Sequence, residues 1–123
     1  MTRKDTNYEK GRNAEERTRI FLQEQGLQHI LSNYRCYGSE IDLIMSDQDC
    51  LVFVEVKFRT NHRYQEGEDS ITAQKIKHLR WGAKCFLEQH KDWKRAYPYY
   101  RFDFVIWDAR DSFPRWYVNA LSR

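Results

Sequence analysis

The stretch that most constrains the fold is LVFVEVK, residues 51–57, read together with EIDLIM, residues 40–45, just upstream. The first is the strongest strand pattern in the chain. The second alternates carboxylate and aliphatic side chains, and the polar SDQD of residues 46–49 between them has turn chemistry. Two strands joined by a short polar turn predict an antiparallel hairpin. With the turn centred between Gln48 and Asp49, Ser46 faces Leu51, Ile44 faces Phe53, Asp42 faces Glu55 and Glu40 faces Lys57. Directly opposed residues project from one face of a sheet, and residues two apart on a strand share a face. The register therefore predicts Glu40, Asp42, Glu55 and Lys57 on one surface, with Val52, Val54 and Val56 packing the other side.

Like charges directly opposed across a strand pair destabilise it, so Asp42 and Glu55 call for a positive partner. One answer is Lys57 itself. Another is a divalent cation: Mg²⁺ is commonly held by one or two carboxylates together with water and phosphate oxygens. Such an ion lowers the pKa of bound water and polarises a phosphoryl oxygen. Lys57 would then position or help deprotonate that water, or stabilise charge developing on phosphorus. The competing reading is a solvent-facing Glu-x-Lys ion pair, which contributes little to stability and has no function.

Elsewhere the pattern is mixed. Residues from about Asn7 to Gln25 place Ala14, Thr18, Phe21 and Leu22 on one helical face, with Gly26 as the C-cap. HILSNYRCY reads as an extended segment closed by a turn at Tyr37-Gly38-Ser39. Residues 60–70 read as a polar, mobile loop. Helical spacing returns from about Ser70 to His90 through Ile76, Leu79, Ala83, Phe86 and Leu87, with Ser70 or Thr72 as cap. Residues 91–100 form an aromatic, basic connection, and RFDFVIW and RWYVNAL close the chain as two strands. The order of helix, three strands, helix, two strands predicts an α/β domain built on one mixed sheet.

A chain of 123 residues suits one domain, 1–123, with residues 1–6 frayed. The net charge of +3 permits a nucleic-acid partner without demanding one. Cys36, Cys50 and Cys85 lack metal-binding or disulfide spacing and read as reduced thiols. His29, His62, His78 and His90 share no spacing with the carboxylates. No segment approaches membrane-spanning length or resembles a signal peptide, which makes a cytoplasmic protein with no membrane partner the expectation.

GRNAEERT, YGSEIDLIM, VFVEVKFR, SITAQKIKHLRWGAKCFL, RFDFV and WYVNAL together resemble the YraN-like family of predicted endonucleases. That family sits in the PD-(D/E)xK nuclease superfamily and is similar to archaeal Holliday-junction resolvases. The resemblance runs from about Gly11 to Leu121, and its most specific part is EIDLI followed by VFVEVK. Ser39 stands where the family strand has a second glycine. The resemblance implies a restriction-endonuclease-like mixed sheet of about five strands flanked by helices. It implies a Mg²⁺-dependent endonuclease, with Mn²⁺ able to substitute: Asp42 and Glu55 as metal carboxylates, Lys57 as catalytic lysine, Glu15 as a further acidic group over the site, and Lys75 at the family's basic-helix lysine, reaching phosphate.

Beyond that site, Arg59, His62 and Arg63 lead into the polar loop, and Lys75, Lys77, His78, Arg80 and Lys84 lie on the second helix. Lys77, Arg80 and Lys84 share a face by their spacing. Such groups suit salt-sensitive phosphate contacts, or they are a solvated helix face. No base-reading motif appears, so the expected activity is structure-selective or weakly specific hydrolysis of phosphodiester bonds in DNA. Two alternatives stand beside it: a nucleic-acid-binding module that keeps the nuclease fold with little or no cleavage, and a protein-interaction domain with an incidental charge cluster. Resolvase-like proteins act as symmetric dimers, so a homodimer is a further expectation, with the aromatics of residues 93–100 as its candidate surface.

Overall fold

The hairpin expected from residues 40–57 lies near the middle of a five-stranded sheet. The computed structural model describes residues 7–59 and 71–121, with side chains from residue 13 onward. In chain order the elements are α1 (Asn7–Glu24), β1 (Gln28–Cys36), β2 (Ser39–Asp47), β3 (Cys50–Arg59), α2 (Ala73–Gln89), α3 (Lys91–Ala96), β4 (Tyr99–Asp108) and β5 (Arg115–Tyr117). The strands lie in the order β1-β2-β3-β4-β5. All neighbours are antiparallel except β3 and β4, which are parallel. A parallel pair needs a long crossover, and the segment carrying α2 and α3 supplies it.

The β2–β3 register is the expected one: Ile44 pairs with Phe53, Ser46 with Leu51 and Asp47 with Cys50. The preceding turn places Tyr37 at φ 46° and Gly38 at φ 84°, the two positive angles of a tight type I′ hairpin. Valines face one way, as expected. Val52 and Val54 join Leu43, Met45, Val105 and Trp107 beneath α1, which contributes Ala14 and Leu22. Thr18 is buried at this interface, donating to the Ala14 carbonyl at 2.6 Å and accepting from Trp107 Nε1 at 2.6 Å. On the other face Phe53, Phe102 and Phe104 pack beneath Leu79, Ala83 and Phe86 of α2.

The seating of α2 depends on Gly82. A Cβ there would approach Ile41 Cδ1 to 3.0 Å, so glycine lets the helix axis lie close on β2. The buried Ser39 hydroxyl donates to the His78 carbonyl at 2.7 Å and ties the same two elements. Thr72 caps the helix, accepting from the Lys75 N–H at 3.1 Å.

Two details differ from the sequence reading. Residues 91–96 form a short helix rather than a connection. The last strand covers only Arg115–Tyr117, because Asn119 turns to φ 56° and gives its N–H to Asp103. Residues 1–6, expected to be frayed, and residues 60–70, expected to be a loop and carrying His62 and Arg63, lie outside the described residues. Among the described residues no helix is long and apolar enough to cross a membrane.

Candidate active site at the end of the hairpin ladder

The β2–β3 ladder runs from Asp47–Cys50 to Leu43–Val54, one pair short of Asp42 and Glu55. There the Asp42 carboxylate takes over, its Oδ2 accepting from the Val56 N–H at 2.8 Å. A side chain thus stands in for a main-chain acceptor. Side-chain alternation slips at the same residue: Ile41 and Ile44, three apart, both belong to the core beneath α2. Strict alternation had placed Glu40 on the same surface as Asp42. Glu40 stays close enough for its charge to act on Asp42 and Glu15, and it also lies 3.7 Å from Arg35 Nε and within reach of Asn33.

Glu55 keeps the face the register gave it. It is a buried carboxylate, and Lys75 Nζ from the first turn of α2 lies 2.7 Å from its Oε2. Lys57 Nζ lies farther off, at 3.9 Å from the same oxygen. At these distances Lys75, not Lys57, is the principal counter-charge of Glu55. The resemblance implies a phosphate contact for Lys75, and the close seating of α2 brings it into the carboxylate corner beside Glu55.

Glu15 reaches the corner from α1. It interacts with Asp42, and with the Asn33 amide turned to donate, that nitrogen lies 3.0 Å from Glu15 Oε1 and 3.2 Å from Glu40 Oε2. Asn33 holds φ 55°, a left-handed conformation that asparagine tolerates better than most residues. It occupies the β1 position between the Ser32–Leu43 and Tyr34–Ile41 pairs, opposite Asp42. Sequence reasoning missed Asn33; an asparagine inside a strand pattern was the available signal.

The electrostatics follow from this crowding. Burial, then the charge of Glu55, push the Asp42 carboxyl up to about 9, against the opposing effect of the Val56 N–H. Burial also raises Glu15, with the Glu40 and Glu55 charges adding to it and the Asp42 and Asn33 contacts opposing. Lys57 is lowered by burial and by the neighbouring Lys75 ammonium. For Lys75 burial works against the charge, but the hydrogen bond and attraction to Glu55 outweigh it and hold the ammonium above its ordinary range. Fully ionised, the carboxyls of Asp42, Glu55, Glu15 and Glu40 would carry more negative charge than Lys57 and Lys75 balance, and the raised Asp42 and Glu15 express that strain.

Among the described residues no three His, Cys, Asp or Glu side chains are arranged as a ready-made metal centre. A magnesium-type ion does not need three, since one or two carboxylates plus water and phosphate oxygens suffice. Asp42 and Glu55 are two oxygen donors whose joint ionisation calls for a cation, and they fit that kind of ion.

The remaining expected cations separate. Lys77 and Arg80 are exposed on α2. Arg59 is not available to phosphate as expected: its side chain is 6% exposed and its Nη2 lies 3.1 Å from the buried Asp108 Oδ2. It closes the ends of β3 and β4, with Ala109 N–H bonded to its own carbonyl at 3.1 Å.

A mixed five-stranded sheet flanked by helices, with an acidic corner at the end of its central hairpin, is a restriction-endonuclease-like α/β fold. The chain belongs to the uncharacterised protein family UPF0102, whose model matches residues 14–106. Relatives bearing that family name share most of its length. One from Psychromonas ingrahamii is 41% identical over 112 residues, covering 91% of this chain and 88% of that protein. One from Pseudomonas putida is 43% identical over 114 residues, covering 90% of each. One from Pseudomonas aeruginosa is 39% identical over 125 aligned positions, covering 98% of each.

Proposed function

We propose that this protein is a divalent-metal-dependent nuclease acting on DNA phosphodiester bonds with structural or weak sequence preference. The observation that carries the reading is the meeting of Asp42, Glu55 and Lys57 where the β2–β3 ladder stops. It is supported by the resemblance of EIDLI and VFVEVK to the PD-(D/E)xK nucleases. Asp42 and Glu55 would hold Mg²⁺ or Mn²⁺, which when bound supplies a nucleophilic water and polarises the scissile phosphate. The chain's own groups do the rest. Lys57, an ammonium with a lowered pKa, offers a proton-transfer group or a cation at the phosphorus centre. Lys75 holds the Glu55 carboxylate in one orientation. Glu15 and Asn33 fix Asp42 and Glu40 from the far side.

Labelled single-stranded, duplex and branched DNAs incubated with Mn²⁺ or Mg²⁺ test this. Cleavage of at least one is expected, lost at least about 100-fold in Asp42→Ala, Glu55→Ala and Lys57→Ala variants whose circular dichroism matches wild type. Wild-type protein inert on every substrate with both ions sinks the reading.

The 2.7 Å Lys75–Glu55 ion pair favours a second reading, since an ammonium already neutralises one carboxylate. In that reading the protein binds nucleic acid without cutting it. Calorimetric titration with Mn²⁺ separates the two: a nuclease takes up the ion and Asp42→Asn abolishes uptake, whereas a binding module shows none. A homodimer remains the proposal for branched substrates, with the exposed Trp93 and Tyr99 as its surface.

A further inference from the structure

A cavity opens on the α2 face of the sheet, away from the carboxylate corner. Its volume is ≈ 380 Å³, within the range of small-molecule pockets. Arg80, Lys84 and Leu87 line it from α2, Lys94 from α3, and Tyr100 and Phe102 from β4, with Glu88 as the single carboxylate. Three cations against one anion give it a positive field. Its aromatic wall is fixed: Tyr100 stands edge-on to Phe53 and to Phe102, with ring centroids 5.9 Å and 6.0 Å away. Tyr100 is nonetheless 54% exposed. A rigid ring held half in solvent is an unusual use of a large apolar surface, and a flat partner would cover it. Arg80 is steadied over the Phe102 ring and by one bond from Nη2 to the Leu121 carbonyl at 3.0 Å. A guanidinium has five donors, so this bond leaves others for a ligand.

We propose that this cavity is a pocket for one unpaired nucleotide, its base stacked on Tyr100 and its phosphate met by Arg80, Lys84 and Lys94. The proposal rests on the nucleic-acid reading above and extends it. Aromatic stacking with flanking cations is the chemistry by which proteins hold single strands without reading sequence. The placement relative to the carboxylate corner fits one continuous strand. Tyr100 is paired with Leu51 and Phe104 with Glu55, so pocket and corner share a face. They lie four β3 residues apart, roughly 13 Å at the rise of a strand. Along α2, Lys75 to Lys84 gives about the same span at the rise of a helix. That is about four nucleotides at the per-strand rise of B-form DNA. A strand whose phosphodiester lies at Asp42 and Glu55 would thus have an unpaired base in the pocket. The substrate class implied is DNA with a single-stranded segment next to the cut.

The test uses the whole protein in chelator, so that cleavage plays no part. An oligonucleotide carrying a single 2-aminopurine, whose emission is quenched on stacking, is titrated at low salt, beside an unlabelled-base duplex followed by anisotropy. Wild type should quench the probe and bind the single strand. Tyr100→Ala should abolish the quench and weaken single-strand binding about tenfold, leaving duplex affinity within about twofold. Tyr100→Phe, which keeps the ring, should retain both, and Lys84→Ala with Lys94→Ala should weaken binding and flatten its salt dependence. Equal quenching and affinity in Tyr100→Ala and wild type overturn the pocket while leaving the nucleic-acid reading intact. An equal loss on the single strand and the duplex also overturns it. No binding of either DNA by wild type overturns the pocket together with that reading.

Discussion

Asp103, buried on β4, and Asp42, half-buried on β2, are both carboxylates of the central sheet, and the chain treats them in opposite ways. Asp103 accepts from Arg101 Nε at 3.0 Å, Arg101 Nη2 at 3.3 Å, Trp116 Nε1 at 3.0 Å and the Asn119 N–H at 2.8 Å. Its charge is matched by a guanidinium, and its oxygens pin β5 and the segment after it to the sheet. Asp42 has the Val56 N–H, and around it the carboxylates of Glu55, Glu15 and Glu40. Buried charge that is fully paired belongs to architecture; a carboxyl crowded by others of its kind marks a candidate binding place. The same sheet carries both.

Substitutions at the two aspartates should therefore have opposite signs, and that is the sharpest way to break the comparison. Asp103→Ala leaves the Arg101 guanidinium and two N–H donors without their acceptor, and should cost about 3–5 kcal/mol in urea unfolding. A cost near zero would remove the claim that this network is structural. Asp42→Asn keeps an acceptor for Val56 and is neutral at every pH, so folding no longer requires a proton there. In the folded protein Asp42 holds its proton up to about 9, against an ordinary value of 3.8. The unfolded chain loses that proton first, so wild-type stability should fall as pH rises from about 4 to about 9. Asp42→Asn should flatten that slope and raise the thermal midpoint at pH 8, by about 4 °C for each kcal/mol recovered. Added Mn²⁺ should raise the wild-type midpoint and leave the variant unmoved.

Smaller effects sharpen the same contrast. Lys75→Met removes the near partner of Glu55 and should cost about 1–3 kcal/mol, the penalty of an unsatisfied buried acceptor. Thr72→Ala removes the cap that holds the Lys75 turn, and should cost about 1 kcal/mol with no loss of Glu55 burial. If the cap variant costs more than Lys75→Met, the ion pair is not what seats this end of α2.

The hairpin was legible because its turn is short and both its faces are buried, which leaves one register for the apolar residues. That register carried Asp42, Glu55 and Lys57 with it. Misplaced features all depend on partners distant in the chain. Arg59 looks like the first cation of a polar loop until Asp108 arrives beside it from β4. Lys75 looks like a surface lysine until Gly82 lets α2 settle on Ile41. Asn33 looks like one more polar strand residue until Glu15 and Glu40 come within reach of its amide.

The bond from Val56 N–H to Asp42 Oδ2 couples chemistry to mechanics. An amide held by a side chain rather than by the ladder is protected only while that carboxylate stays where it is. Whatever draws the Asp42 oxygen away, by coordination or by replacement, frees the proton on Val56 to exchange with solvent. One backbone hydrogen in the middle of the sheet therefore acts as a gauge of occupancy, readable by exchange spectroscopy with no substrate and no turnover.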